Sequence, residues 1–77
     1  MGWLDEMSEA VANAASMSGE ELSLSPDVRR EILDLARIAS HASGERINAP
    51  LLCYALGLAV GKGASLDELA AAIRAAS

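Results

Sequence analysis

Apolar residues recur along the chain at helical spacing. Trp3, Met7, Ala10, Ala14 and Met17 follow one another at intervals of four, three, four and three, with Leu4 and Val11 beside them. That period gathers side chains onto one face of an α-helix. Asp5, Glu6 and Glu9 fall in the first turns, where the helix dipole favours negative charge, and Ser18-Gly19 supplies a stop, so a helix is predicted near 3–17. After the linker Glu20 to Leu24, Ser25-Pro26-Asp27 reads as an N-cap followed by proline at the first helical position. The helix that follows, near 26–42, carries Val28, Ile32, Leu35, Ala39 and Ala42 on one stripe and Asp27, Arg30, Asp34, Arg37 and His41 on the opposite one. Ser43-Gly44 is its expected end.

Asn48-Ala49-Pro50 opens a third helix, near 48–61, with Asn48 as its expected cap. Leu51, Leu52, Tyr54, Ala55, Leu56, Leu58, Ala59 and Val60 leave this helix no polar face, and a helix apolar all round is expected to be buried on most sides. It is too short for a bilayer, which needs roughly 20 apolar residues. Gly61-Lys62-Gly63 breaks it. Ser65-Leu66-Asp67-Glu68 has the capping-box pattern, and Leu66, Leu69, Ala70 and Ile73 line a fourth helix near 65–76. The expected architecture is all-α: a compact, single four-helix domain over residues 1–77, arranged around a central apolar third helix.

Composition narrows this picture. Of the 77 residues 52% are hydrophobic, yet there is no Phe, one Trp and one Tyr, so Ala, Leu, Ile, Val and Met must build the core, which favours helices over sheets. A chain this short buries only about 60–65% of its unfolded surface. With Cys53 alone, no disulfide framework or thiolate zinc site is available. Small domains without such staples often gain stability by oligomerising, so a homodimer is an expectation. The first residues, Met1-Gly2-Trp3-Leu4-Asp5-Glu6, have no positive n-region; no secretory leader is expected, and the cytoplasm is the default location.

The net charge of −5 is unevenly placed. Asp5, Glu6, Glu9, Glu20 and Glu21 face no Lys or Arg before residue 22, whereas acids and bases balance through the rest of the chain. Without a net basic face, nonspecific nucleic-acid binding is not expected.

Candidate chemistry is sparse. Cys53 and His41 are the conventional nucleophile and base, but a thiol inside an apolar helix behaves as a small hydrophobe and is expected to be unreactive. Arg30, Asp34, Arg37 and His41 stand at ion-pairing intervals on one helix face, each pair worth about 0.2–0.5 kcal/mol. Asp27, Glu31 and Asp34 are interleaved with Arg30 and Arg37, so a salt-bridged surface is expected there, and no metal site or cofactor. Gly57 and Gly61 have G-x-x-x-G spacing, which here is expected to serve close packing within the chain rather than dimerisation. Gly61-Lys62-Gly63-Ala64-Ser65 lacks the spacing of a phosphate loop and any preceding strand. Two binding readings survive. His41, Arg46 and Asn48 flank the entrance to the third helix, whose N-terminal N–H groups are suited to a phosphate or carboxylate. Trp3 and Met7 on the acidic first helix are suited to docking on a basic or apolar groove of a partner, against the simpler reading of an ordinary bundle helix.

The stretch Ile32-Leu33-Asp34-Leu35-Ala36-Arg37, then His41, Ala49-Pro50-Leu51 and Leu56-Gly57-Leu58-Ala59-Val60-Gly61, resembles a small actinobacterial all-helical domain family of unknown function. The resemblance covers most of the chain. The turn from His41 to Pro50 is about one residue longer than that family's pattern, and Ile47 stands where a proline is usual. Members are free-standing or fused to proteins similar to molybdopterin guanylyltransferase, which implies a link to molybdenum-cofactor biosynthesis. The expected function is therefore a non-enzymatic accessory domain that contacts a partner protein, with a molybdenum-cofactor nucleotidyltransferase as the partner the resemblance implies. The competing expectation is a small-anion or nucleotide-binding module at His41, Arg46 and Asn48. With no activated nucleophile or acid–base pair to name, a hydrolase or transferase is set aside.

Overall fold

A computed structural model describes residues 2–77. It is all-α with four helices: α1 (Trp3–Ala14), α2 (Pro26–Ser43), α3 (Asn48–Gly61) and α4 (Leu66–Ala76), with a short 3-10 turn at Gly19–Leu22 between the first two. The caps explain the boundaries. At α2, the Ser25 hydroxyl accepts from the Val28 N–H at 3.2 Å, with Pro26 in the first turn. At α4, the Ser65 hydroxyl accepts from the Glu68 N–H at 3.4 Å. Gly44, with φ of 75°, ends α2 in the left-handed conformation that glycine adopts without a Cβ penalty.

α1 stops three residues short of the predicted end. Ser16 takes a φ of 57°, the Met17 N–H donates to the Ala12 carbonyl at 2.8 Å, and the Ser16 N–H donates to Asn13 at 3.3 Å. This is a Schellman closure with serine in the place glycine usually fills. Periodicity could not reveal it, because Met17 keeps the helical spacing while leaving the helix. The same closure ends α3, where the Ala64 N–H reaches Ala59 at 3.0 Å and the Gly63 N–H reaches Val60 at 2.9 Å.

α2 and α3 form the principal helix pair, and α4 packs on both. Leu35, Leu56 and Ala70, one from each of these helices, make the core, with Ile32, Ile38, Leu52, Leu66, Leu69 and Ile73 packed around them. Among the described residues α1 packs on the 3-10 turn and on no other helix. Its link to the rest is polar: Arg29 donates from Nε to the Leu24 carbonyl at 3.2 Å and pairs with Asp5 at 3.4 Å.

The apolar third helix departs from expectation. Only Leu56 is fully buried; Leu51 and Tyr54 are 63% and 70% exposed, and Leu58 also faces outward. A helix apolar all round can be buried on all sides only if neighbours exist to surround it, and α1 does not come to it. No helix among the described residues is long and apolar enough to cross a membrane.

Candidate functional site

Among the described residues, the surface is distinguished by two apolar stripes that no other element covers. On α1, Ala12 is buried against the chain while Trp3, Met7, Ala10 and Ala14 lie on the opposite side, all exposed, with Trp3 at 72% and Val11 exposed on the flank. Packing the small Ala12 and the half-buried Ser8 inward leaves the large side chains in solvent. On α3 and its entrance, Ile47, Leu51, Tyr54 and Leu58 stand opposite buried Leu56, at the same four-three-four spacing. The α3 stripe has heptad-like spacing, but in a helix apolar all round nothing marks which side stays open.

Glycine placement refines the α3 face. A Cβ built at Gly57 or at Gly61 meets nothing within 4 Å. The expected role of these glycines in close packing within the chain is therefore corrected: no helix of the chain approaches them, and they border the open face.

Around the α3 entrance, His41 and Arg46 are exposed and Asn48 is half-buried. The N-cap is Ile47 rather than Asn48, and it supplies no side-chain hydrogen bond. The first backbone donors are engaged, Asn48 N–H with the Glu45 carbonyl and Ala49 N–H with the Arg46 carbonyl, both at 3.2 Å. Pro50 has none. An anion here would meet the exposed His41 and Arg46 side chains and few free N–H groups. Behind this entrance, Ile38, Ala42, Leu51, Leu52 and Ile73 border an open apolar groove of about 710 Å³.

The carboxylates of α2 are committed to arginines. Arg30 pairs with Asp27, and Arg37 with Asp34 at 2.8 Å. Arg74 of α4 reaches across to Glu31 and, at 2.9 Å, to Asp34. The Arg74 hydrogen bond, then that of Arg37, holds the Asp34 carboxyl below its ordinary value; the hydrogen bond to Glu31, then that to Asp34, raises Arg74. Lys62 and Arg74 together balance Asp67 and Glu68 in the sequence, and only the fold shows that Arg74 joins α4 to α2. Among the described residues no three His, Cys, Asp or Glu side chains assemble as metal ligands. Cys53 is half-buried on α3, and desolvation pushes its thiol up, a setting that suppresses the thiolate.

A family model described as a domain of unknown function, DUF6457, matches residues 2–77. The chain belongs to this family. The DUF6457 match takes in all four helices, so both apolar stripes and the α3 entrance lie within the domain. No curated protein and no solved structure matches the chain.

Proposed function

We propose that this DUF6457 domain is a non-enzymatic protein-interaction module whose contact surface is the uncovered apolar face of α1, with Trp3 and Met7 as anchors. The observation that carries the reading is the orientation of α1, which turns Ala12 toward its own chain and Trp3 toward solvent. Amphipathic helices normally do the reverse. Tryptophan is also the side chain whose burial most often dominates an interface.

The finer part of the proposal follows the resemblance noted above: a nucleotidyltransferase of molybdenum-cofactor biosynthesis is a partner of the domain. The interaction reading is preferred to anion or nucleotide binding at His41, Arg46 and Asn48 because the backbone donors that such a site would use are already bonded within the turn.

The test is a titration of the isotope-labelled domain with a purified molybdopterin-guanylyltransferase-like protein, following the Trp3 indole resonance. Saturable perturbation of Trp3 and a loss of about tenfold or more in affinity on replacing Trp3 and Met7 with alanine are expected. An unchanged indole signal at equimolar enzyme would remove that partner. Perturbation confined to His41 and Arg46 on adding inorganic phosphate would move the site to the α3 entrance.

A further inference from the structure

We infer that the partner seated on α1 is a second copy of the chain, with α1 of each protomer lying antiparallel across the α3 stripe of the other in a two-fold dimer. This rests on the interaction reading at α1 and commits that face to a second copy, which competes with the nucleotidyltransferase for Trp3 and Met7, so the test below separates the two occupants. Four observations favour a second copy.

The first is area. The chain exposes 5658 Å², about 1,200 Å² more than the roughly 4,450 Å² expected of a folded monomer of 8.0 kDa. Its radius of gyration is 13.3 Å, against about 11.5 Å for a compact chain of this length. A standard interface covers about 800 Å² per partner, so hiding the α1 and α3 stripes together accounts for much of the excess.

The second is shape. Both stripes repeat at four-three-four spacing, on helices of 12 and 14 residues, which is the spacing of side-by-side helix packing. Along α1 the side chains run from large to small, Trp3 and Met7 then Ala10 and Ala14. Along α3 and its entrance, Ile47, Leu51 and Tyr54 precede Gly57, Leu58 and Gly61. Antiparallel docking sets Trp3 over the two glycines, where space is open, and Ala10 and Ala14 over Leu51 and Ile47.

The third is charge. α1 bears Asp5, Glu6 and Glu9 and no basic residue, so two α1 helices repel each other. α3 carries no charge along its length, and Lys62 follows its C-terminus. Asp5 and Glu9 face Arg29 and the 3-10 turn; antiparallel docking brings Glu6, in the first turn of α1, toward that lysine and opposes the two helix dipoles.

The fourth concerns the alternative, closure of α1 on its own α3. The Asp5–Arg29 pair and the packing on the 3-10 turn hold α1 with its stripe outward. Closure breaks these contacts, whereas a second copy binds without disturbing them.

Sedimentation equilibrium of the full chain over micromolar to millimolar concentration, with Trp3 emission recorded in parallel, tests the arrangement. A mass twice that of the chain, with emission shifting to the blue as the dimer forms, is expected. Gly61→Leu meets open space in the monomer and removes a helix glycine, so it keeps the helical content while weakening the dimer about ten- to a hundredfold. Trp3→Ala does the same. An equimolar mixture of the two variants regains a dimer, because the α1 of one and the α3 of the other are intact. Several outcomes overturn the inference: a monomer at every concentration, a dimer indifferent to Trp3→Ala, or blue emission independent of concentration, which is closure of α1 on its own chain. A chain that stays monomeric yet takes up the nucleotidyltransferase through Trp3 also overturns it and leaves the interaction reading standing.

Discussion

Ser16 carries a backbone conformation that its side chain resists. A φ of 57° costs an L-residue roughly 1–2 kcal/mol, partly offset by the entropy a glycine would lose on folding. Ser16→Gly is expected to stabilise α1 by about 0.5–1 kcal/mol, seen as a later urea midpoint when unfolding is followed through Trp3. Leu35 is the opposite case. Among the described residues it is the largest fully buried side chain, at 0% exposure, and Leu35→Ala removes the middle of a small core. A loss of about 2–5 kcal/mol is expected, enough to leave much of the protein unfolded at room temperature in a circular-dichroism melt. Leu35 was readable from its stripe on α2. Ser16 was not, because one residue in a left-handed conformation leaves no periodic trace.

At the scale of elements, the joint between α2 and α4 is both apolar and ionic, and its ionic half titrates. Arg74 and Arg37 hold the Asp34 carboxyl below its ordinary value, so the folded state binds a proton there less readily than the unfolded chain. Linkage then gives the sign: the contribution is complete above the unfolded carboxyl range, near pH 4, and is lost as pH falls through the lowered folded value. Asp34→Asn is expected to lower the melting temperature at pH 7 and flatten the acid limb of the stability profile, compared from pH 2 to 7. High salt should shrink the difference, because the groups are solvent-exposed. Two helix starts were legible from Ser25-Pro26 and Ser65, since caps act locally; at α3 the boundary was placed correctly but the cap was not, because Ile47 takes that position without a side-chain bond. The partner of Arg74 lies some forty residues away in the chain, and no local signal points to it.

For the molecule as a whole, helix number and order followed from periodicity, whereas the distribution of burial did not. A pattern of apolar residues states that a face seeks cover, and it is silent on whether the cover comes from the same chain. The α1 stripe was visible as spacing, whereas the α3 stripe was hidden in a helix apolar all round. Their exposure is a fact of assembly, decided by the position Arg29 and the 3-10 turn impose on α1. If cover comes from a second copy, stability depends on protomer concentration by mass action. The melting temperature should therefore rise by several degrees between about 10 μM and 1 mM, since each kcal/mol shifts a domain of this size by roughly 4–8 °C.

The slender attachment of α1 also divides the chain into units of unequal cooperativity. With the 3-10 turn as its one helical neighbour, α1 can open and reclose while α2, α3 and α4 stay folded. Amide hydrogens of Met7 to Ala14 should exchange with deuterium far faster than those around Leu35 and Leu56 in dilute solution. As the chain is concentrated, the two rates should converge, turning the first helix into a reporter of how crowded the protein is with its own kind.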